Sequence, residues 1–139
     1  MKDKTTTLAS LKKKVVDFRN ERHWKEYNTI DNVLMSVVIE LGELMEHFQW
    51  RDQTQSTDYL KNPEAYDEVR FELADVLVYL FTLADDLNID ISEAITDKLA
   101  KQAKKFPVKK VLAWKSMKPE ERWRAYAKIK SEYRQKRKM

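Results

Sequence analysis

Apolar residues recur along this chain at helical spacing, and the spacing predicts a series of helices. The first helix covers residues 8–21 and begins after Thr7, whose hydroxyl can cap it. A second and longer helix, capped by Asp31 or Thr29, runs to about Trp50. The residues between these helices break the periodicity and form a structured connection. Spacings of three, four and three residues define the apolar stripe of the first helix: Leu8, Leu11, Val15 and Phe18.

The pattern of the next segment predicts a loop followed by a buried helix. Residues 52–61 are polar and predict the loop. The third helix then begins at Asn62-Pro63-Glu64, a capping residue, a proline at the first position and an acid in the first turn, and it extends to about Leu87. Its middle, residues 76–81, is apolar on every side, and the length of the flanking pattern favours a helix over a buried strand. In so small a chain, we expect this segment to lie in a subunit interface.

Two further helices complete the predicted fold. Asp90 and Glu93 resemble a capping box that opens the fourth helix, which ends near Pro107, and a last helix begins at Pro119. One glycine and three prolines leave little room for the turns of an all-β fold. We therefore predict an all-α chain, with a four-helix bundle in residues 1–110 and an extra basic helical extension in residues 111–139.

Composition restricts the class of protein further. A length of 139 residues favours one domain, and the lack of cysteine excludes disulfides and thiolate metal sites. The sequence has no apolar run of the 18 or more residues that a membrane span needs. No continuous apolar stretch follows the charged N-terminus, which argues against a signal peptide. We therefore expect a cytoplasmic protein with no membrane partner.

The net charge of +4 conceals an asymmetry between the two ends of the chain. Residues 1–97 carry 11 Lys/Arg and 20 Asp/Glu, a net charge of −9, whereas residues 98–139 carry 16 Lys/Arg and 3 Asp/Glu, a net charge of +13. This distribution indicates cation binding in the acidic part and an anionic partner near the basic end. For residues 108–139, an ordinary solvated basic face explains the charge equally well.

Two acidic pairs lie inside otherwise apolar helical segments: Glu40 with Glu43, and Glu72 with Asp75. Residues three apart share a helix face, so each pair presents two carboxylates side by side at the margin of the core. Facing carboxylates repel each other unless a cation lies between them. A hard divalent ion such as Mg²⁺, with Mn²⁺ as a substitute, is the simplest solution. Ordinary surface salt bridges with lysines are the alternative.

The predicted fourth helix carries a complementary basic face. Lysines near a Mg²⁺ site form an arrangement suited to handling phosphate. A di-iron bundle would instead need Glu-x-x-His on two helices. Neither histidine follows a glutamate at that spacing, and we expect His47 to be a polar residue at the margin of a pocket. The basic face consists of Lys98, Lys101, Gln102 and Lys105.

With these motifs the chain resembles the MazG-like superfamily of nucleotide pyrophosphohydrolases, and in particular its dCTP-pyrophosphatase-like branch. The resemblance covers roughly residues 11–110. It rests on four segments: Phe18-Arg-Asn-Glu-Arg-His-Trp24, Glu40-Leu-Gly-Glu-Leu-Met-Glu-His-Phe-Gln-Trp50, Glu72-Leu-Ala-Asp-Val-Leu-Val-Tyr79 and Lys98-Leu-Ala-Lys-Gln-Ala-Lys-Lys-Phe-Pro107.

The resemblance implies a Mg²⁺-dependent hydrolase that converts a nucleoside triphosphate to the monophosphate and pyrophosphate. It also implies a MazG-like bundle that assembles as a dimer or a tetramer. The positions matching the metal ligands are Glu40, Glu43, Glu72 and Asp75. Those matching base and sugar contacts are Trp24, Tyr27, Asn28, Trp50 and Tyr79, with Asn32 either a cap or a ligand contact. Lys98, Lys101 and Lys105 match basic positions expected to meet phosphates, and Gln102 stands beside them.

The chain departs from the branch pattern near the expected nucleotide. Asn28-Thr29-Ile30 stands where the branch often has His-x-Pro, and Gln102 stands where it has Asn, so the base preference does not carry over. Aromatic residues suit a nucleobase because stacking is worth about 1–3 kcal/mol. Core packing is the alternative, and we expect it more for Tyr27 than for Trp24 or Trp50.

The leading hypothesis is therefore a nucleoside triphosphate pyrophosphohydrolase in nucleotide-pool cleansing, with Glu43 as the general base. A related all-α hydrolase of dUTP or of a phosphoribosyl nucleotide is one alternative. A second alternative is a non-enzymatic module whose basic tail binds nucleic acid. We expect an aromatic stripe on that tail to pack on a neighbouring subunit, with nucleic acid or an acidic partner as alternatives. The stripe consists of Trp123, Tyr126, Ile129 and Tyr133.

Overall fold

The computed structural model describes residues 1–136, and its regular elements in that range are helical, which confirms the all-α prediction. Among the described residues, no helix is both long and apolar enough to cross a membrane. The α-helices are α1 (Leu8–Glu21), α2 (Ile30–Glu46), α3 (Gln53–Tyr59), α4 (Pro63–Asp86), α5 (Ile91–Lys105), α6 (Val108–Leu112) and α7 (Pro119–Lys136). Short 3₁₀ turns occupy Trp24–Glu26 and Ala113–Ser116.

Local capping signals determine where several helices begin. The Thr7 hydroxyl accepts the Ser10 N–H at 3.1 Å, and the Asn62 side chain accepts the Glu64 N–H at 2.8 Å. Of the two candidate caps for α2, Thr29 is the residue whose hydroxyl accepts a backbone N–H of the first turn, at 3.3 Å. Each bond satisfies a donor that the helix itself cannot pair.

The prediction of a loop at residues 52–61 is wrong, because this segment contains α3. Asp52 and Gln55 form a reciprocal capping box with two bonds of 2.9 Å. The helix was not predicted because the polar run lacks apolar periodicity. Its capping residues are nevertheless a sequence signal for a helix start. Further differences are that α2 ends at Glu46, short of Trp50, and that α6 with a 3₁₀ turn occupies residues 108–116.

The chain consists of two compact units, the first covering Met1–Ile91 and the second beginning at Ser92. In the first unit α2 packs against α4, and α1 packs on α4 as well. This packing sets the acidic face of α2 against that of α4. The apolar middle of α4 is only partly covered in the single chain, since Leu77 and Leu80 remain exposed. Core side chains of this unit include Val33, Ala65, Val76, Phe81 and Ala84.

A buried ion-pair group fastens α1 to the end of α4. Arg19 is only 3% exposed, and its guanidinium donates to Asp86 at 2.9 Å and to Asp85 at 3.0 Å. Charge-assisted bonds of this kind compensate the desolvation of the arginine. Removing Arg19 would leave the largely buried Asp86 carboxylate without its cation.

The second unit has a small core of its own built from aromatic rings. Phe106 stacks on Tyr126 with 5.7 Å between ring centroids and meets Trp114 edge to face at 6.4 Å. Ile129 is buried, whereas Trp123 is largely exposed although it stacks on Tyr126. The aromatic stripe that we expected to pack on a neighbouring subunit is therefore covered in part by its own chain.

Candidate active site

Three carboxylates from two helices converge in the first unit. Glu40 and Glu43 lie one turn apart on α2, and Glu72 lies on α4. Each offers an oxygen within 4.8 Å of the other two. Helical spacing puts the α2 pair on one face, and the packing of α2 against α4 brings in the third carboxylate. We call these three residues the carboxylate cluster.

The fourth predicted ligand, Asp75, is exposed and lies outside this group of three, but its charge reaches Glu40. Burial raises the pKa of the Glu40 carboxyl above its ordinary value, and the negative charges of Glu43, Asp75 and Glu72 raise it further. The four acids therefore create a region of uncompensated negative potential.

The carboxylate cluster fits a divalent metal ion. The Glu72 Oε2 atom is buried and has no hydrogen-bond partner within residues 1–136. A buried polar atom without a partner is costly unless another group satisfies it. None of the ion pairs between described residues involves Glu40, Glu43 or Glu72, so ordinary salt bridges do not neutralise the cluster. An all-oxygen donor set of this charge suits a hard cation.

An open pocket lies beside the carboxylate cluster and includes α3. Tyr59 Oη lies 2.8 Å from His47 Nδ1. The Arg51 guanidinium lies 4.1 Å from the centroid of the Tyr59 ring and also donates to the His47 carbonyl. Neither Arg51 nor Tyr59 is among the predicted site residues, and Tyr59 lies in the segment that was predicted to be a loop. The capping box at the start of α3 was the available signal. The pocket is lined by Glu43, Glu46, His47, Arg51, Tyr59 and Glu72.

The predicted base-contacting aromatics are largely exposed in the single chain. Trp50 is 92% exposed and has a φ of 68°, a left-handed conformation that bulky residues rarely adopt. Trp24 is half-exposed and meets Phe18 edge to face at 5.8 Å. Tyr27 is 71% exposed, so core packing within the chain does not explain it. Exposed rings and strained backbone are features of ligand sites.

The remaining predicted polar contacts serve the connection before α2. The Asn32 side chain donates to the Tyr27 carbonyl at 2.9 Å, which ties the connection to the first turn of α2. The Asn28 N–H donates to the Trp24 carbonyl at 2.9 Å. The connection is therefore held by local bonds. Tyr79, the remaining predicted contact, lies elsewhere: it is half-buried on α4, one turn beyond Asp75.

The predicted phosphate-contacting residues of α5 lie in the second unit. They share one face and line one cleft, as their spacing predicts. Two residues of α7 that the sequence analysis did not assign to the phosphate site complete the lining. The cleft, which we call the basic cleft, consists of Lys98, Lys101, Gln102 and Lys105 from α5 with Tyr133 and Arg134 from α7.

Comparison with known proteins identifies the class to which this fold and this cluster of acids belong. A model of the MazG-like family matches residues 35–116, a range that contains Glu40, Glu43, Glu72 and Asp75. The chain belongs to the MazG-like family.

The chain is also similar to two curated relatives and to one solved structure. It is 32% identical to dCTP pyrophosphatase 1 of Mus musculus over 102 residues, and 31% identical to the Homo sapiens protein of that name over 101 residues. Each alignment covers 73% of this chain but only 60% and 59% of the respective relative. A pyrophosphatase of known crystal structure from Archaeoglobus fulgidus is 37% identical with a TM-score of 0.66, and the match covers 72% of this chain and 92% of that one.

Proposed function

We propose that this chain is a Mg²⁺-dependent nucleoside triphosphate pyrophosphohydrolase of the cytoplasmic nucleotide pool. It would convert a ribo- or deoxyribonucleoside triphosphate and water to the monophosphate and pyrophosphate. The observation that carries the proposal is the carboxylate cluster with its unpaired, buried Glu72 oxygen. Family membership and the names of the relatives support hydrolysis of a nucleotide pyrophosphate bond, and they make dCTP the first substrate to test.

The metal ion would be held by the carboxylate cluster, with Asp75 as the fourth ligand. When bound, Mg²⁺ or Mn²⁺ would neutralise these acids and withdraw electron density from phosphate oxygens. The raised pKa of Glu40 supports this role, because a carboxylate that is desolvated by burial and crowded by other anions gains most from a cation.

Glu43 is our candidate for the general base. Its carboxylate is exposed and lines the open pocket, where a water molecule can reach it. Glu43 would accept a proton from water as the water oxygen bonds to the α-phosphorus. The bond from that phosphorus to the α–β bridging oxygen would break, and pyrophosphate would leave with the electron pair. Arg51 in the same pocket offers a cation to the phosphate oxygens.

Trp50 and Trp24 are the candidate platforms for the base. The left-handed backbone conformation of Trp50 costs stability. Stacking of a bound base on the exposed Trp50 ring would offset that cost. The remaining candidates for base and sugar contacts are Tyr27, Asn28, Asn32 and Tyr79.

We also propose that the chain works as a homodimer or homotetramer. Exposed apolar side chains on α2 and α4 are too numerous for a stable isolated surface. Replacing Val38 with Glu should convert the oligomer to monomers in analytical ultracentrifugation, whereas Lys14→Glu on α1 should not. A wild-type chain that sediments as a monomer would refute the proposal. On α2 and α4, the Val, Ile, Leu, Met and Phe side chains with half or more of their surface exposed are Met35, Val38, Ile39, Met45, Phe71 and Leu73.

A product assay tests the proposed reaction. The chain is incubated with Mg²⁺ and a panel of ribo- and deoxyribonucleoside triphosphates that includes dCTP and dUTP, and the products are separated by ion-exchange chromatography. We expect monophosphate and pyrophosphate, and release of single phosphate would refute the proposal. Glu43→Gln should lower turnover by about 10²–10⁴-fold with unchanged helicity. Glu68→Gln, an exposed acid on α4 one turn before Glu72, is the matched control.

A further inference from the structure

Stacked aromatic rings in the second unit leave one large ring open to solvent. Tyr126 of α7 lies nearly parallel to Phe106, with 5.7 Å between ring centroids and 8° between ring planes. Trp123, one turn earlier on α7, stacks on the same tyrosine at 5.7 Å and 26°. Both distances are typical of offset stacking. Trp123 nevertheless keeps 69% of its surface exposed, so its ring remains available to a further aromatic group.

The exposed Trp123 ring belongs to an open groove, which we call the aromatic groove. Ile129, one turn beyond Tyr126, is buried, so the α7 face that carries the stacked rings is anchored by packing. Three of the groove's five lining residues are aromatic, and none of the five is acidic. The lining consists of Trp114 from the second 3₁₀ turn with Pro119, Arg122, Trp123 and Tyr126 from α7.

The surroundings of the aromatic groove are basic. Residues 92–136 carry 14 Lys/Arg and 5 Asp/Glu, a net charge of +9. The Lys130 Nζ atom lies 5.4 Å from the centroid of the Tyr126 ring, within the range of cation–π attraction. Within the described residues, no ion pair includes Lys130 or Arg122. The groove therefore lies in a region of positive potential that attracts anions.

An exposed aromatic ring beside uncompensated cations suits a partner that is both planar and anionic. Covering the groove with an apolar protein surface would desolvate Arg122 without giving it a partner, which is costly. A single strand of nucleic acid satisfies both features, because its bases stack on aromatic rings and its phosphates meet the cations. A duplex offers its phosphates but keeps its bases stacked inside.

We propose that the aromatic groove binds single-stranded nucleic acid, with a base stacked on Trp123 and backbone phosphates beside Arg122 and Lys130. The C-terminal extension then has a binding function of its own. This function does not depend on the proposed hydrolysis, since the groove shares no residue with the carboxylate cluster.

Fluorescence anisotropy with a labelled DNA strand of about 12 nucleotides tests the site on the full chain. EDTA keeps metal ions out of the measurement. Trp123→Leu should weaken binding about tenfold because the stacking ring is lost, whereas Trp123→Phe keeps a ring and should weaken it less than about threefold. Both variants keep an apolar side chain on α7, and circular dichroism should show wild-type helicity for both. Equal affinities of the Leu and Phe variants would overturn the proposal.

Two arginines of α7 separate charge at the groove from diffuse attraction. Arg122→Gln removes the cation that lines the groove, and Arg124→Gln removes the same charge from an exposed position outside it. Losing one phosphate contact should weaken single-strand binding about fivefold at about 0.1 M salt and reduce the salt slope by about 0.7. We expect these changes for Arg122→Gln only. Equal changes in the two variants would show diffuse attraction and would reject the site.

The same variants distinguish the other possible occupants of the groove. A duplex made from the same strand should bind more weakly than the single strand, and Trp123→Leu should not alter its affinity. Equal binding of duplex and single strand would contradict base stacking in the groove. If Trp123→Leu instead reduced the oligomer mass in analytical ultracentrifugation and left DNA affinity unchanged, the occupant would be a second copy of the chain and the proposal would fail.

Discussion

The hydroxyl of Tyr59 lies 2.8 Å from Nδ1 of His47, so the last residue of α3 is hydrogen-bonded to the residue that follows α2. The Arg51 guanidinium covers the same tyrosine ring. These contacts explain how α3, a polar helix of seven residues with no buried side chain, keeps its place. They also place α3 in the wall of the pocket beside the carboxylate cluster.

Replacing Tyr59 with Phe should lower the free energy of unfolding by about 1 kcal/mol, because the hydroxyl bond to His47 is lost while the ring remains beside Arg51. Urea denaturation measures this loss. Tyr66→Phe, at an exposed tyrosine of α4, is the control and should have no measurable effect. Equal losses in the two variants would contradict the structural role of this bond.

The Arg19 ion-pair group should be a major determinant of stability. Arg19→Met leaves Asp85 and Asp86 without their buried cation, and we expect a loss of about 3–5 kcal/mol. Lys13→Met removes an exposed ion pair with Asp17 and should cost less than about 1 kcal/mol. Chemical denaturation of both variants provides the comparison. A similar, small loss in both would show that burial of Arg19 does not matter.

Glu40 should reduce the stability of the metal-free chain as pH rises. Its pKa is raised in the folded state, so between the unfolded and folded pKa values the folded chain binds more protons than the unfolded chain. Stability therefore falls through that window as pH rises, and the loss persists above it. Glu40→Gln removes this effect and should raise the Tm in EDTA at neutral pH, with no gain below the unfolded pKa. A wild-type chain that is the more stable of the two at neutral pH would contradict this sign.

Divalent metal should stabilise the folded chain through the carboxylate cluster. Mg²⁺ at a hundred times its Kd should add about 2.7 kcal/mol, because it binds the folded state only. Scanning calorimetry with and without Mg²⁺ should show a rise in Tm for the wild type and for Glu68→Gln, and little rise for Glu72→Gln. An equal rise in all three proteins would place the bound ion elsewhere.

The backbone conformation of Trp50 should lower the stability of the folded chain, whereas its ring should strengthen nucleotide binding. Trp50→Gly relieves a left-handed backbone conformation that costs a non-glycine residue about 1–2 kcal/mol, so the free energy of unfolding should rise. Loss of the ring should weaken nucleotide binding by about 1–3 kcal/mol. Denaturation and equilibrium binding of a non-hydrolysable nucleotide separate the two effects. Unchanged nucleotide affinity would remove Trp50 from the site.

Much of the secondary structure follows from local signals. Thr7, Asn62 and Pro63 cap or open helices by bonds and dihedral preferences that span only a few residues. Helical spacing likewise puts Glu40 and Glu43 on one face without the help of any tertiary contact. The helix α3 was missed because its polar residues follow no apolar period, although the Asp52 capping box was present in the sequence.

By itself, the sequence determined the all-α class, most helix starts and the pairing of acids within each helix, because these depend on neighbours within one or two turns. Only the tertiary structure decided that Glu72 meets the α2 pair with one oxygen buried and unpaired, and that Arg134 joins the α5 lysines. Those relationships depend on how helices distant in sequence pack together. No local pattern encodes that packing.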